Sequence, residues 1–331
     1  QGNYIGINPA GNGTYGNSHE GIYMYGSSFN TIGGTSAAAR NIISGNMHQG
    51  MVMNAGSNNN TISGNYFSLN AEGNAKLNNN WSNIMIISST GNTVGGTTAG
   101  ERNVIAGSNY DGVEFSSASG NTVIGNYIGT NAAGTVALGV GRIGIYAYGG
   151  SNNNILGGSA SGMGNVVSGG NQEGICVDAS TGTRIQGNYI GTTADGTAGL
   201  GNRFAGISIV NASNDTTIGG TAVGAGNVIS GNGHQGIYIS DSSSNFIQAN
   251  YVGTNATGDA AIGNSQHGIY LTGSSSNTIG GNSAAARNII SGSGNQGLKL
   301  LNGSNNNSIS GNFFSLNAAG TAKLNNNWSN I

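Results

Sequence analysis

The sequence predicts an all-β solenoid of about ten stacked rungs, each built from short strands that pair in parallel with the same strands one rung on. Three observations predict it. The stretch Asn30–Ile84 returns 247 residues later as Asn277–Ile331, with 42 of 55 positions identical. A Gly-Asn-aromatic motif recurs at Gly2, Gly64, Gly125, Gly187 and Gly311, with Ala249 replacing Gly before Asn250-Tyr251, in steps of 61 or 62 residues. Within each such unit a glycine followed by a short apolar strand occurs twice, at Gly21, Gly50, Gly112, Gly144, Gly174, Gly206, Gly236, Gly268 and Gly297, with Asn83 and Asn330 in the same place. The spacings alternate between 29–30 and 32–33 residues, so one unit is two rungs. The 331 residues therefore read as one array with units starting near 2, 64, 125, 187, 249 and 311, expected to belong to a longer repeat protein.

Each rung supplies three strand-like pieces. In the first they are 21–25 (Gly-Ile-Tyr-Met-Tyr), 30–33 (Asn-Thr-Ile-Gly) and 41–44 (Asn-Ile-Ile-Ser). The first piece alternates, with Ile22 and Met24 on one face and Tyr23 and Tyr25 on the other. The inward set Ile22, Met51, Ile145, Ile175, Ile207, Ile237 and Ile269 is expected to stack in one column. Gly and Asn between the pieces suit corners that need positive φ. No segment keeps a 3.6-residue period, so helix is expected to be absent or marginal. Stacking at ~4.8 Å per rung gives a rod of about 50 Å.

In this register Asn30, Asn60, Asn92, Asn121, Asn154, Asn245, Asn277 and Asn307 share a column interrupted by Thr183 and Thr216, and Asn41, Asn103, Asn165, Asn227 and Asn288 share another. Both are read as structural asparagine ladders, each carboxamide bonding to the next.

The composition excludes several classes. Gly occurs 63 times and Pro once, and 6% of residues are charged, while the evenly spaced aliphatics rule out a flexible linker. A net charge of −2 with three lysines gives no basic stripe, which argues against nucleic acid. No apolar run approaches a membrane span, so no membrane insertion is expected. The single cysteine, Cys176, excludes an intrachain disulfide.

The repeated phrases NTIGG, RNIISGN, GI-x-I and GNYIGTNAAG resemble right-handed parallel β-helix repeat proteins of bacterial and archaeal surfaces, over the entire chain. The resemblance implies a parallel β-helix. It leaves function open among polysaccharide lyases, hydrolases, epimerases, tailspikes, adhesins and passive fibres.

Polysaccharide chemistry on such a fold needs grouped carboxylates. The densest patch is Asp111, Arg142 and Glu173, with Glu114 and Asp178 nearby; Asp111 and Glu173 lie two rungs, ~9.6 Å, apart. That spacing suits a surface ionic cluster better than a nucleophile and acid. The Asn-Thr-Asp, Asp-Asp, Gly-His-Gly and Asp-Pro-His signatures of related enzymes are absent. The expectation is therefore no catalytic site, with Asp111, Arg142 and Glu173 as the alternative. His19, His48 and His234 fall in a corner column that also holds Trp81, Tyr110, Arg142, Gln172 and Phe204, so no metal site and no cofactor are assigned, although His19, His48 and Glu20 are close enough for an adventitious metal contact. Outward Tyr23, Tyr146, Tyr238 and Tyr270 share one column and Tyr148 lies in the next, as a platform for a glycan or a lateral contact. An outward threonine column from Thr31 to Thr122 breaks at Ile155 and Arg184, too soon for a flat ice-binding array.

The expected role is structural: an extracellular or cell-surface fibre, sheath, stalk or adhesin that self-associates end to end. The argument is that neither end carries a cap-like segment and strand edges template further strands. The alternative is a polysaccharide-binding or polysaccharide-degrading β-helix.

Overall fold

Strands of two to four residues, separated by corners, have no room to fold back as hairpins. They satisfy their backbone groups on the next coil instead. The computed structural model describes residues 1–331 and shows three parallel sheets running through the array. A long sheet holds ten four-residue strands, from Ile22–Tyr25 to Leu298–Leu301. A middle sheet holds ten three-residue strands, from Thr31–Gly33 to Ser308–Ser310, and a short sheet eleven two-residue strands, from Tyr4–Ile5 to Phe313–Phe314. Each strand pairs with its equivalent one coil on, as in Ile22↔Met51 and Ile237↔Ile269. Helix is confined to two 3-10 turns, Ala37–Ala39 and Ala284–Ala286.

The predicted inward column is present. Met51, Ile145, Ile175, Ile207, Ile237 and Ile269 are fully buried, and Ile22 at the first rung is half-buried. The six buried ones belong to one continuous core of 36 buried residues, and Ile22 packs against it. Corners are tight enough to dictate glycine in places. Gly33 sits at φ 88°, where a Cβ would run into the Ser63 carbonyl.

The asparagine columns carry the corners. Ahead of the short sheet the Asn of each Gly-Asn-aromatic motif interleaves with the second predicted column, giving one ladder through Asn3, Asn41, Asn65, Asn103, Asn126, Asn165, Asn188, Asn227, Asn250, Asn288 and Asn312. Each Nδ2 donates to the next Oδ1 at 2.9–3.1 Å. The ladder ahead of the middle sheet runs Asn30 to Asn60 to Asn92 to Asn121 and resumes from Asn277 to Asn307. Where threonine interrupts it, Thr183 Oγ1, Thr216 Oγ1 and Asn245 Nδ2 are buried without a partner. The hydroxyl is too short to span one rung.

Every second coil makes an excursion between the short and long sheets, closed by an antiparallel bridge such as Leu69↔Lys76 or Thr130↔Ala137. The excursion tips bond to one another one unit on: Ala71 N–H donates to Gly11 O at 2.8 Å and Ala132 N–H to Gly73 O at 2.9 Å. They form a ridge beside the corner that leads into the long sheet.

Candidate functional site

The outer face of the long sheet gathers most of the side chains with chemical character. Period-2 alternation puts strand positions two and four outside, and parallel register turns each into a column. Tyr238 pairs directly with Tyr270, their rings 5.5 Å apart and inclined at 44°. Tyr146 and Tyr148 stack at 4.7 Å with 23° between their planes. Their hydroxyls are committed, Tyr146 donating to Asp178 Oδ2 and Tyr148 to Glu114 Oε1, both at 3.0 Å. Burial and the Asp178 carboxylate hold the Tyr146 phenol protonated far above neutral pH. Tyr23 stands apart against Val52 and is 54% exposed. Cys176 shares the tyrosine column but is buried, which raises its thiol well above the usual range and leaves it unreactive at neutral pH.

Alongside runs the corner column two residues before each rung glycine. It forms its own stripe of rings: Trp81 stacks on Tyr110 at 5.0 Å, Arg142 lies over Tyr110 at 4.6 Å, and Phe204 meets His234 at 5.0 Å. Where the strand column drops to Ser208, the two stripes enclose a cleft of about 340 Å³ lined by Glu173, Phe204, Ser208, His234, Tyr238 and Tyr270 among others. Ser208 Oγ is buried at this cleft and has no partner.

The carboxylates divide between two roles. Asp111 is fully buried; its Oδ1 accepts from Ile143 N–H at 2.9 Å and lies 3.8 Å from Arg142 Nε, while Oδ2 has no partner. Burial pushes its carboxyl up to about 6. Glu173 is half-buried and lines the cleft, and burial raises it too, opposed by Arg142 and His234. Glu173 thus joins Tyr238 and Tyr270, a grouping that the sequence reading kept apart. Phe204, His234 and Ser208 were not singled out there as a site. The signal was present in two columns, two residues before and two after each glycine, which become neighbours only when laid side by side.

Asp111 makes stability depend on pH. Its folded-state value lies above the ordinary carboxylate value, so the folded protein holds the proton more tightly. The stabilising contribution is complete below about pH 4 and lost as pH rises through about 6. Asp111→Asn should therefore be more stable than the parent at pH 7.5, by on the order of 2 kcal/mol, and indistinguishable from it near pH 4. Urea melts at the two pH values measure this, and equal melts at pH 7.5 would refute the assignment.

Ten coils of three sheets, paired coil to coil in parallel, define the architecture. The chain is a parallel β-helix repeat protein. A family model described as periplasmic copper-binding protein (NosD) matches residues 193–331 of the β-helix. No curated protein sequence matches it. Among solved structures it is similar to a mutant of the periplasmic alginate epimerase AlgG, with TM-score 0.45 and 12% identity over 81% of this chain and 61% of that one. The A-module of the Azotobacter vinelandii mannuronan C-5 epimerase AlgE6 gives TM-score 0.37 and 12% identity over 92% and 86%. PfbA, a surface adhesin of Streptococcus pneumoniae, gives TM-score 0.37 and 12% identity over 95% and 89%. The β-helix thus spans about three fifths of the length of the epimerase that it matches. No helix is long and apolar enough to cross a membrane.

Proposed function

We propose that this β-helix works outside the cytoplasm as a non-catalytic binder of extended neutral glycans, held along the outer face of the long sheet. The observation that carries the reading is the cleft between the two ring stripes. Its tyrosine and phenylalanine walls fit the apolar faces of a pyranose, while the half-buried Glu173 carboxylate offers an acceptor for sugar hydroxyls. A partly desolvated Glu173 disfavours polyuronates. Binding is favoured over cleavage because hydrolysis by the usual route needs two carboxylates flanking one bond, and the cleft holds one, with Asp111 sealed in the core. The periplasmic description of the family that matches residues 193–331 supports the location.

Affinity electrophoresis through gels containing neutral β-linked polysaccharides or alginate tests this. The parent should be retarded by a neutral polymer, and Tyr238→Ala with Tyr270→Ala should weaken binding about tenfold, as the loss of ~1 kcal/mol or more of ring contact implies. No retardation by any polymer, or a double variant that behaves like the parent, would overturn it. Retardation by alginate alone would overturn the neutral assignment.

The polarity of the ladders favours a second reading, axial self-association. Each carboxamide of the ladder from Asn3 to Asn288 donates toward the next rung, as does Asn30 to Asn60, so whatever stacks on the first rung meets acceptors at Asn3 and Asn30. At the other end it meets the side chains of Asn307 and Asn312. Sedimentation of the same preparations reads this out: axial oligomers support it and a strictly monomeric chain excludes it.

A further inference from the structure

The first two corners of the long sheet bring together three side chains that the glycan reading does not use. His19 and His48 each stand two residues before a rung glycine, on adjacent coils, and Glu20 follows His19 directly. The backbone locks the two corners in register: Met47 N–H donates to Asn17 O at 2.9 Å, and Gly21 N–H to Gln49 O at 3.1 Å. The two imidazoles meet edge-on, with centroids 5.2 Å apart and planes at 66°. His48 Nδ1 lies 3.6 Å from Glu20 Oε1. One ligand atom from each of the three residues falls within 4.8 Å of the others.

From this geometry we infer that His19, Glu20 and His48 form a surface site for a divalent first-row transition ion of the zinc or copper class. Two imidazole nitrogens and one carboxylate oxygen are a borderline donor set that suits such ions and leaves a fourth position for water. Bonds of about 2.0–2.2 Å at the tetrahedral angle place ligand atoms roughly 3.4 Å apart, close to the separation already held between Glu20 and His48. The remaining closure needs His19 alone to move, and it is the exposed member of the three. Ca²⁺ and Mg²⁺ are excluded as occupants by the nitrogen donors and by the single carboxylate. The backbone N–H of Trp81, on the next coil of the same corner column, donates to His48 O at 3.3 Å, which ties the backbone of that ligand to a third rung. The site lies outside the segment matched by the NosD family model.

Titration calorimetry of the full chain with ZnCl₂ at pH 7.5 tests the site, with CaCl₂ as a control. One Zn²⁺ per chain is expected, with no heat of binding from Ca²⁺. His19→Ala and His48→Ala should each weaken Zn²⁺ by at least tenfold, while His234→Ala, in the same column six rungs on from His48, should leave it unchanged. Zn²⁺ binding that survives in the His19→Ala/His48→Ala double variant would overturn the assignment, as would no saturable binding by the parent below millimolar Zn²⁺. Zn²⁺ should also raise the thermal midpoint of the parent and leave that of the double variant in place, a readout independent of the heat signal.

Discussion

Ile237→Asp is expected to abolish cooperative folding around the eighth strand of the long sheet. Ile237 is fully buried and sits in register between Ile207 and Ile269. The substitution forfeits about 1.5–3 kcal/mol of apolar burial and adds several more for a charge with no partner in the core. In a solenoid each coil is stabilised by its two neighbours, so one ruined coil removes two interfaces and divides the array. Tyr238→Asp, one residue further on, faces outward and should cost less than about 1 kcal/mol. Far-UV circular dichroism and urea melts of the pair measure the contrast. A two-state melt for Ile237→Asp with the parental midpoint would show that the inward column is assigned to the wrong face.

That contrast rests on information plain in the sequence, where strict alternation and a fixed spacing leave one way to stack the strands. Gly21, Gly50 and Gly112 mark equivalent corners, so Ile22, Met51 and Val113 fall into one column. The ladders were only partly legible. Asn41, Asn103 and Asn165 recur once per unit and so do Asn65, Asn126 and Asn188, but their merging into a single line of carboxamides depends on how much chain each corner consumes. A third, shorter set, Asn17 to Asn46 to Asn79 and Asn202 to Asn232 to Asn264, sits four residues before each rung corner and is broken in mid-chain by Ser108, Val140 and Gly170, which hides it as a column.

The site was less legible than the fold. Column membership placed Tyr238 beside Tyr270, because strand register alone brings them together. It placed Asp111 and Glu173 in one column with Arg142 adjacent, and so presented them as a group. Which way each side chain turns at a corner is set by local backbone bonds, and those separate Asp111, drawn inward by Ile143 N–H, from Glu173 at the cleft. The contact of His19 and Glu20 with His48 has the same origin. A column that accepts rings of every kind looks tolerant along its length and still forms a distinct site wherever two donors happen to be neighbours.

Asn126→Ala should be nearly as damaging as a core charge, although it removes no apolar surface. Asn126 Oδ1 accepts from both the backbone and the side chain of Asn103, at 3.2 and 2.9 Å. Its Nδ2 donates to Val94 O and Ile124 O at 2.9 Å and to Asn165 Oδ1 at 3.1 Å. Truncation strands buried groups on three successive coils, each costing about 1–3 kcal/mol when no water can replace the lost partner. A total loss of roughly 3–5 kcal/mol is expected after local relaxation. Asn126→Asp tests the direction of the ladder. It keeps the acceptor for Asn103 and loses the donor to Asn165, while placing a charge in a corner with no counter-ion, so it should be at least as destabilising as alanine. Asn312→Ala removes fewer bonds, because the Asn312 carboxamide accepts from Asn288 and donates only to Ile279 O, and should cost less. Urea midpoints of the three variants give the order, and hydrogen exchange at the Asn103 amide reports the break directly. If Asn126→Ala costs under 1 kcal/mol with that amide still protected, the corners are held by backbone pairing alone. In that case the asparagines would reflect the tight turns in which they sit, and the ladder would add little to the strength of the rod.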